Sequence, residues 1–134
     1  MDAPLQAIRA EVARMTESLF GLVGIPFGNT TELQRQLLAA FAFGMTFAVG
    51  QMRKLSPPDV HAITIAYLMD VFRYPDHQAA TFANDLIAAA QNEDHHPTIN
   101  AIIHRGIDGH AQWERGNHDD LRTNINDIFK RVGA

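Results

Sequence analysis

Apolar residues recur at intervals of three and four along most of this 134-residue chain, and this spacing limits the fold more than any other feature. The first series consists of Leu5, Ile8, Val12, Met15 and Leu19. Residues spaced in this way lie on one face of an α-helix, which is then buried against another element. No segment shows the strict alternation of apolar and polar residues that is typical of a half-buried strand. The sequence therefore predicts an all-α fold.

Capping residues and glycines divide the first third of the chain into two helices. The first helix is predicted over residues 4–20 and ends at the glycine-rich segment 21–28, GLVGIPFG. This segment is apolar for a loop, so we expect it to pack over the core. Asn29 is the predicted cap of the second helix, because Glu32 then falls at the third helical position and completes a capping box. The second helix is expected to run to about Lys54.

Two glycines inside the second helix indicate a close neighbour. Gly44 and Gly50 each cost the helix about 1 kcal/mol relative to alanine. A helix keeps such residues where another element must approach its backbone. The sequence does not identify that element.

Prolines mark the starts of the later helices. Amides in the first turn have no partner within the helix, so a proline there removes no helical hydrogen bond. Helices are predicted to begin at Pro57, Pro75 and Pro97, and a last helix is predicted over residues 118–132. Gly106 and the nearby Gly109 leave the continuation of the fifth helix open. We predict a single domain over residues 1–134, an irregular bundle of five to seven helices in which short connections place neighbours antiparallel.

Composition and local hydropathy point to a cytoplasmic protein. The chain has no cysteine, which excludes disulfides and thiolate metal sites. The first fifteen residues carry regularly spaced charges and do not resemble a signal peptide. The most apolar run, residues 37–50, is shorter than the ~20 residues that a membrane-spanning helix needs. We therefore expect a cytoplasmic location and no membrane partner.

Negative charge is concentrated in residues 74–120. This segment has eight acidic residues against Arg105 and Arg115, a net charge of −6, whereas the whole chain has −4. Such a segment repels phosphates, so nucleic acid is not expected as a ligand, and it suits a basic protein partner. The alternative is a solvated helix surface. The candidate partner-binding acids are Asp76, Asp85, Glu93, Asp94, Asp108, Glu114, Asp119 and Asp120.

Trp113 is the only tryptophan and lies within this acidic segment. A tryptophan among acids is typical of an interface anchor, so we include Trp113 among the candidate partner-binding residues. The alternative is that its side chain covers one end of the core.

The residues suggest no catalytic, metal or cofactor site. His104 and Asp108 have helical spacing, and the six further histidines include His110 and His118, but no zinc motif or repeated carboxylate–histidine motif is present. The chain lacks the glycine–serine elbow of hydrolases and a phosphate-binding loop. Its paired acids fall in polar turns rather than in a cleft that would raise their pKa for acid–base work. We therefore predict a binding protein rather than an enzyme, with no cofactor.

Two stretches resemble the small all-helical immunity proteins that bacteria encode beside polymorphic, contact-delivered toxins. One is LLAAFAFGMTFAVGQMRKLSPPDVHAITIAYLMDVF (37–72), and the other is NAIIHRGIDGHAQW (100–113). The resemblance implies that the chain binds a cognate toxin in the cytoplasm and blocks its active site. It assigns no toxin-binding residue. It also suits the charge pattern, because toxins that act on nucleic acid are basic around the active site.

Two other classes of function stay open at this point. The first is a helical regulatory or adaptor domain that binds a small ligand or a partner helix, as a monomer or a homodimer. The second is an enzyme with a site that no known motif marks. The sequence identifies neither the toxin nor the face that would bind it.

Overall fold

Six α-helices and one 3-10 turn form the computed structural model, which describes all 134 residues and contains no strand. The all-α prediction is confirmed, and the helix number falls within the predicted five to seven. The helices are α1 (Ala3–Val23), α2 (Glu32–Met52), α3 (Pro57–Asp70), α4 (Asp76–Gln91), α5 (Pro97–Glu114) and α6 (His118–Val132), and the 3-10 turn is Phe27–Asn29. None of these helices has the length and hydropathy needed to cross a bilayer.

The end of α1 lies later than predicted. The helix continues through Gly21 to Val23 and is capped by Gly24, whose φ of 71° is in the left-handed region that glycine adopts readily. The segment that follows packs against the core, as predicted, through the partly buried side chains of Ile25 and Phe27.

The predicted cap of α2 was wrong by two residues. Asn29 ends the 3-10 turn instead, and the Thr31 hydroxyl accepts a hydrogen bond from the Gln34 amide at 3.0 Å. The Gln34 side chain in turn accepts from the Thr31 amide at 2.9 Å, so the capping box consists of Thr31 and Gln34. The 3-10 turn shifts the helix start because it occupies the residues that the sequence pattern assigned to the cap.

One core of 31 buried apolar residues joins all six helices, and α2 lies at its centre. The most extensive helix–helix contact is between α2 and α5. Gly44 and Gly106 meet there: a Cβ on Gly44 would lie 2.0 Å from the Ile103 carbonyl oxygen, and one on Gly106 would lie 2.1 Å from that of Phe41. Gly44, which was expected to allow a close neighbour, thus allows the backbone of α5 to approach α2. Helix α5 runs unbroken through Gly106 for the same reason.

Candidate functional site

All eight acidic candidates are exposed, but they lie on different elements. Asp76 and Asp85 belong to α4, and Glu93 and Asp94 lie in the turn after it. The others are at α5 and at the start of α6: Asp108, Glu114, Asp119 and Asp120. The acidic segment is therefore a band over the second half of the chain rather than one helix face.

Most of these acids have no charged partner within the chain. Only Glu114 and Asp119 are within ion-pair distance of a base, at 3.3 Å from His110 and 2.9 Å from Arg122. Acids elsewhere are more often paired: Glu11 with Arg53, Glu32 with Arg35, and Asp70 with Arg9. The six unpaired acids give the band a negative charge that the chain's own bases do not neutralise.

A polar groove between α5 and α6 brings two of the unpaired acids together. The groove has a volume of about 420 Å³, and Asp108 and Asp120 line it, with no apolar residue among the lining side chains. Asp127 also lines the groove. It was not among the predicted partner-binding acids because it lies in the basic end of the chain. Its spacing of seven residues from Asp120 places both on one face of α6 and was the signal available in the sequence.

The floor of the groove is held by a hydrogen-bond network around Arg105. The guanidinium donates to Asn124 Oδ1 at 2.8 Å and to Asp127 Oδ2 at 2.6 Å. Arg131 also donates to Asp127 Oδ2, at 2.9 Å. The hydrogen bonds from Arg105 and then Arg131 lower the pKa of Asp127 below its ordinary value. Asp127 therefore stays ionised, but the two arginines balance its charge. The unbalanced negative charge of the groove comes from Asp108 and Asp120.

Trp113 is half-buried at the end of α5. Its indole packs against the core and stacks on the imidazole of His118, with ring centroids 5.6 Å apart and 19° between the planes. These contacts agree with the alternative that the side chain covers the end of the core. A role for Trp113 in binding a partner stays a prediction.

The seven histidines are distributed over α3, α4, α5, α6 and the turn before α5. No three histidine or carboxylate side chains come close enough to share a metal ion. His96 has a structural role, since its Nδ1 accepts a hydrogen bond from the Ile99 amide at the start of α5.

A second acidic position adjoins the α4 end of the band. Glu32, Tyr74 and Asp85 line a second groove there, distinct from the one between α5 and α6. Tyr74 donates a hydrogen bond to Glu32 Oε1 at 3.0 Å. Burial, together with this hydrogen bond, raises the pKa of the Tyr74 hydroxyl. Partial burial alone would raise the pKa of Glu32, but the hydrogen bonds from Arg35, Tyr74 and Gln36 outweigh burial and lower it. Glu32 therefore stays ionised beside Asp85.

Comparison with known proteins identifies a family. The sequence model of the family described as Immunity protein 48 matches residues 9–133, which is nearly the whole chain. No curated protein and no solved structure matches. The match agrees with the resemblance seen in residues 37–72 and 100–113. The chain belongs to the Immunity protein 48 family.

Proposed function

We propose that this chain binds a cognate toxin in the cytoplasm and blocks its active site with the acidic band, centred on the groove between α5 and α6. Membership of an immunity family supports a toxin as the partner. One observation carries the choice of surface: Asp108 and Asp120 line a groove without apolar residues and have no ion pair within the chain. In this proposal the chain acts by occlusion and catalyses no reaction.

The charge of the groove suits a toxin that acts on a phosphate-bearing substrate. Such a toxin holds its substrate with basic residues, and exposed carboxylates can occupy the same positions. Unpaired acids also speed the encounter of oppositely charged proteins, by 10-fold or more at low salt. Asp120 accepts a hydrogen bond only from the neutral Asn117 side chain, at 2.6 Å, so burying Asp108 and Asp120 against toxin bases would provide the charged partners that both carboxylates lack in the free chain.

Charge substitution in the groove tests this proposal. The double variant Asp108→Lys with Asp120→Asn changes the charge by three and keeps, at position 120, a side chain that can accept the hydrogen bond from the capping residue Asn117. The matched control is Glu17→Lys with Asp59→Asn, which makes the same charge change outside the band, with Asp59 in the first turn of α3. The probe is the purified catalytic domain of the cognate toxin, and the measurement is its association rate by stopped flow.

The groove variant should associate about tenfold more slowly than the control at low salt. The difference should shrink at high salt, because exposed charges are screened over about 8–10 Å. Equal rates for the two variants would show that the toxin binds elsewhere. Melting temperatures of both variants establish that the fold is retained.

A further inference from the structure

An apolar cavity lies where the end of α2, the start of α3 and the end of α4 meet, away from the groove between α5 and α6. Its volume is about 310 Å³, at the lower end of the ~300–1,000 Å³ that is usual for small-molecule sites. Half of the twelve residues that line it have aromatic or aliphatic side chains: Phe43, Phe47, Leu55, Val60, Ile87 and Ala90. The cavity suits a hydrocarbon group of modest size.

One polar atom in the wall lacks a hydrogen-bond partner. His61 lines the cavity, and its Nε2 is buried without a partner. Buried polar atoms are nearly always paired, so an orphan calls for an explanation. Only one other buried side-chain nitrogen or oxygen in the chain lacks a hydrogen-bond partner. It is His110 Nε2, which lies 3.3 Å from Glu114 Oε1. His61 has no such neighbour, and because its Nε2 is closed off from solvent, a ligand in the cavity reaches this atom only when the imidazole turns toward it.

A cationic side chain lines the same cavity. Lys54 has a φ of 56°, in the left-handed region where glycine is favoured and lysine is strained. Its ammonium group forms no ion pair, and no acidic residue lines the cavity, although the chain as a whole is acidic. Pro57, at the first position of α3, also lines the cavity and brings the positive end of that helix dipole near it. The polar edge of the cavity therefore favours an anion.

We propose that this cavity binds a free medium-chain monocarboxylate. The alkyl chain packs against the apolar wall. The carboxylate accepts a hydrogen bond from the Lys54 ammonium and, once the imidazole turns toward the cavity, a second one from the Nε2–H tautomer of His61. An apolar wall with two donors and no acid at its edge matches an apolar body with an anionic head. This site is independent of toxin binding, and its test uses the free chain.

Titration calorimetry with octanoate tests the proposal, with octanol as the neutral control of the same chain length. Octanoate should bind at least tenfold more tightly than octanol. Ala90→Trp, which fills the cavity, should abolish octanoate binding. Equal affinity for the two compounds would overturn the proposal, because the donors would then contribute nothing. Binding of a peptide with a carboxy-terminal leucine but not of octanoate would also overturn it, in favour of a protein ligand.

Two pairs of variants separate binding from folding. Lys54→Gly removes the ammonium and the backbone strain together, so it should weaken octanoate binding at least tenfold without lowering the melting temperature. Lys130→Gln is the control lysine, on α6. His61→Phe removes the donor and should also weaken binding, whereas His104→Gln, at an exposed position on α5, should not. Unchanged octanoate affinity in Lys54→Gly and His61→Phe would refute the assigned roles.

Discussion

Replacing Gly44 with alanine should strongly destabilise the chain, because the glycine lets α2 touch α5. The new Cβ would lie 2.0 Å from the Ile103 carbonyl oxygen, 2.9 Å from the Gly106 Cα and 2.9 Å from the Ile107 amide nitrogen. All three atoms belong to the backbone, so no side-chain rotation relieves the overlap. Ordinary contact begins near 3.4 Å, and the two helices would therefore have to separate by about 1.4 Å.

The size of the loss follows from two opposing effects. Overpacking a core usually costs about 1–3 kcal/mol, and a clash between two backbones at the largest helix–helix contact belongs at the top of that range or above it. Alanine recovers about 1 kcal/mol of helix propensity. The net loss should be at least ~2 kcal/mol, which lowers the melting temperature by roughly 7 °C in a chain of this length.

Gly21→Ala is the matched control. Gly21 lies inside α1, and no atom lies within 4 Å of a Cβ built there, so alanine should stabilise the chain by up to about 1 kcal/mol. Urea denaturation of both variants measures the difference. If Gly44→Ala proved as stable as Gly21→Ala, the close approach of α2 and α5 would be refuted.

Two further predictions concern the cap of α2 and the ion pairs of Asp127. Thr31→Ala should cost about 1 kcal/mol in urea denaturation, whereas Asn29→Ala should cost clearly less, because Thr31 forms the capping box; a reversed order would restore Asn29 as the cap. The pKa of Asp127 is lowered by its hydrogen bonds with Arg105 and Arg131, so its contribution to stability is present above the ordinary value of 3.8 and is lost as pH falls below it. The stability advantage of the wild type over Asp127→Asn should therefore shrink between pH 6 and pH 3, and a pH-independent difference would contradict the lowered pKa.

Much of the fold could be predicted because its signals are local. Proline and capping side chains mark the starts of α3, α4 and α5 within a few residues, and the apolar stripe of α1 gives its buried face directly. The end of α1 and the cap of α2 were misplaced because glycine is tolerated inside a helix and because a 3-10 turn has no strong sequence signal. Gly44 indicated a close neighbour, but that neighbour, Gly106, is distant in sequence, and only the folded chain shows the pair.

The surface was harder to predict because it depends on how helices face one another. The acidic residues were counted correctly, yet only Asp108 and Asp120 share the groove between α5 and α6, and Asp127 was missed as their neighbour. The apolar cavity had no sequence signal at all. Lys54 and His61 are single polar residues near apolar stripes, and only the structure places them in one wall.

Hydrogen–deuterium exchange of the chain with and without its cognate toxin tests the central proposal most directly. If the acidic band meets the toxin, amide protection on binding should concentrate in α5 and in the first turns of α6, around Asp108 and Asp120. The exposed face of α1 around Glu17 should exchange equally in both states. Protection confined to α1 and α3, with α5 and α6 unchanged, would contradict the proposed binding surface.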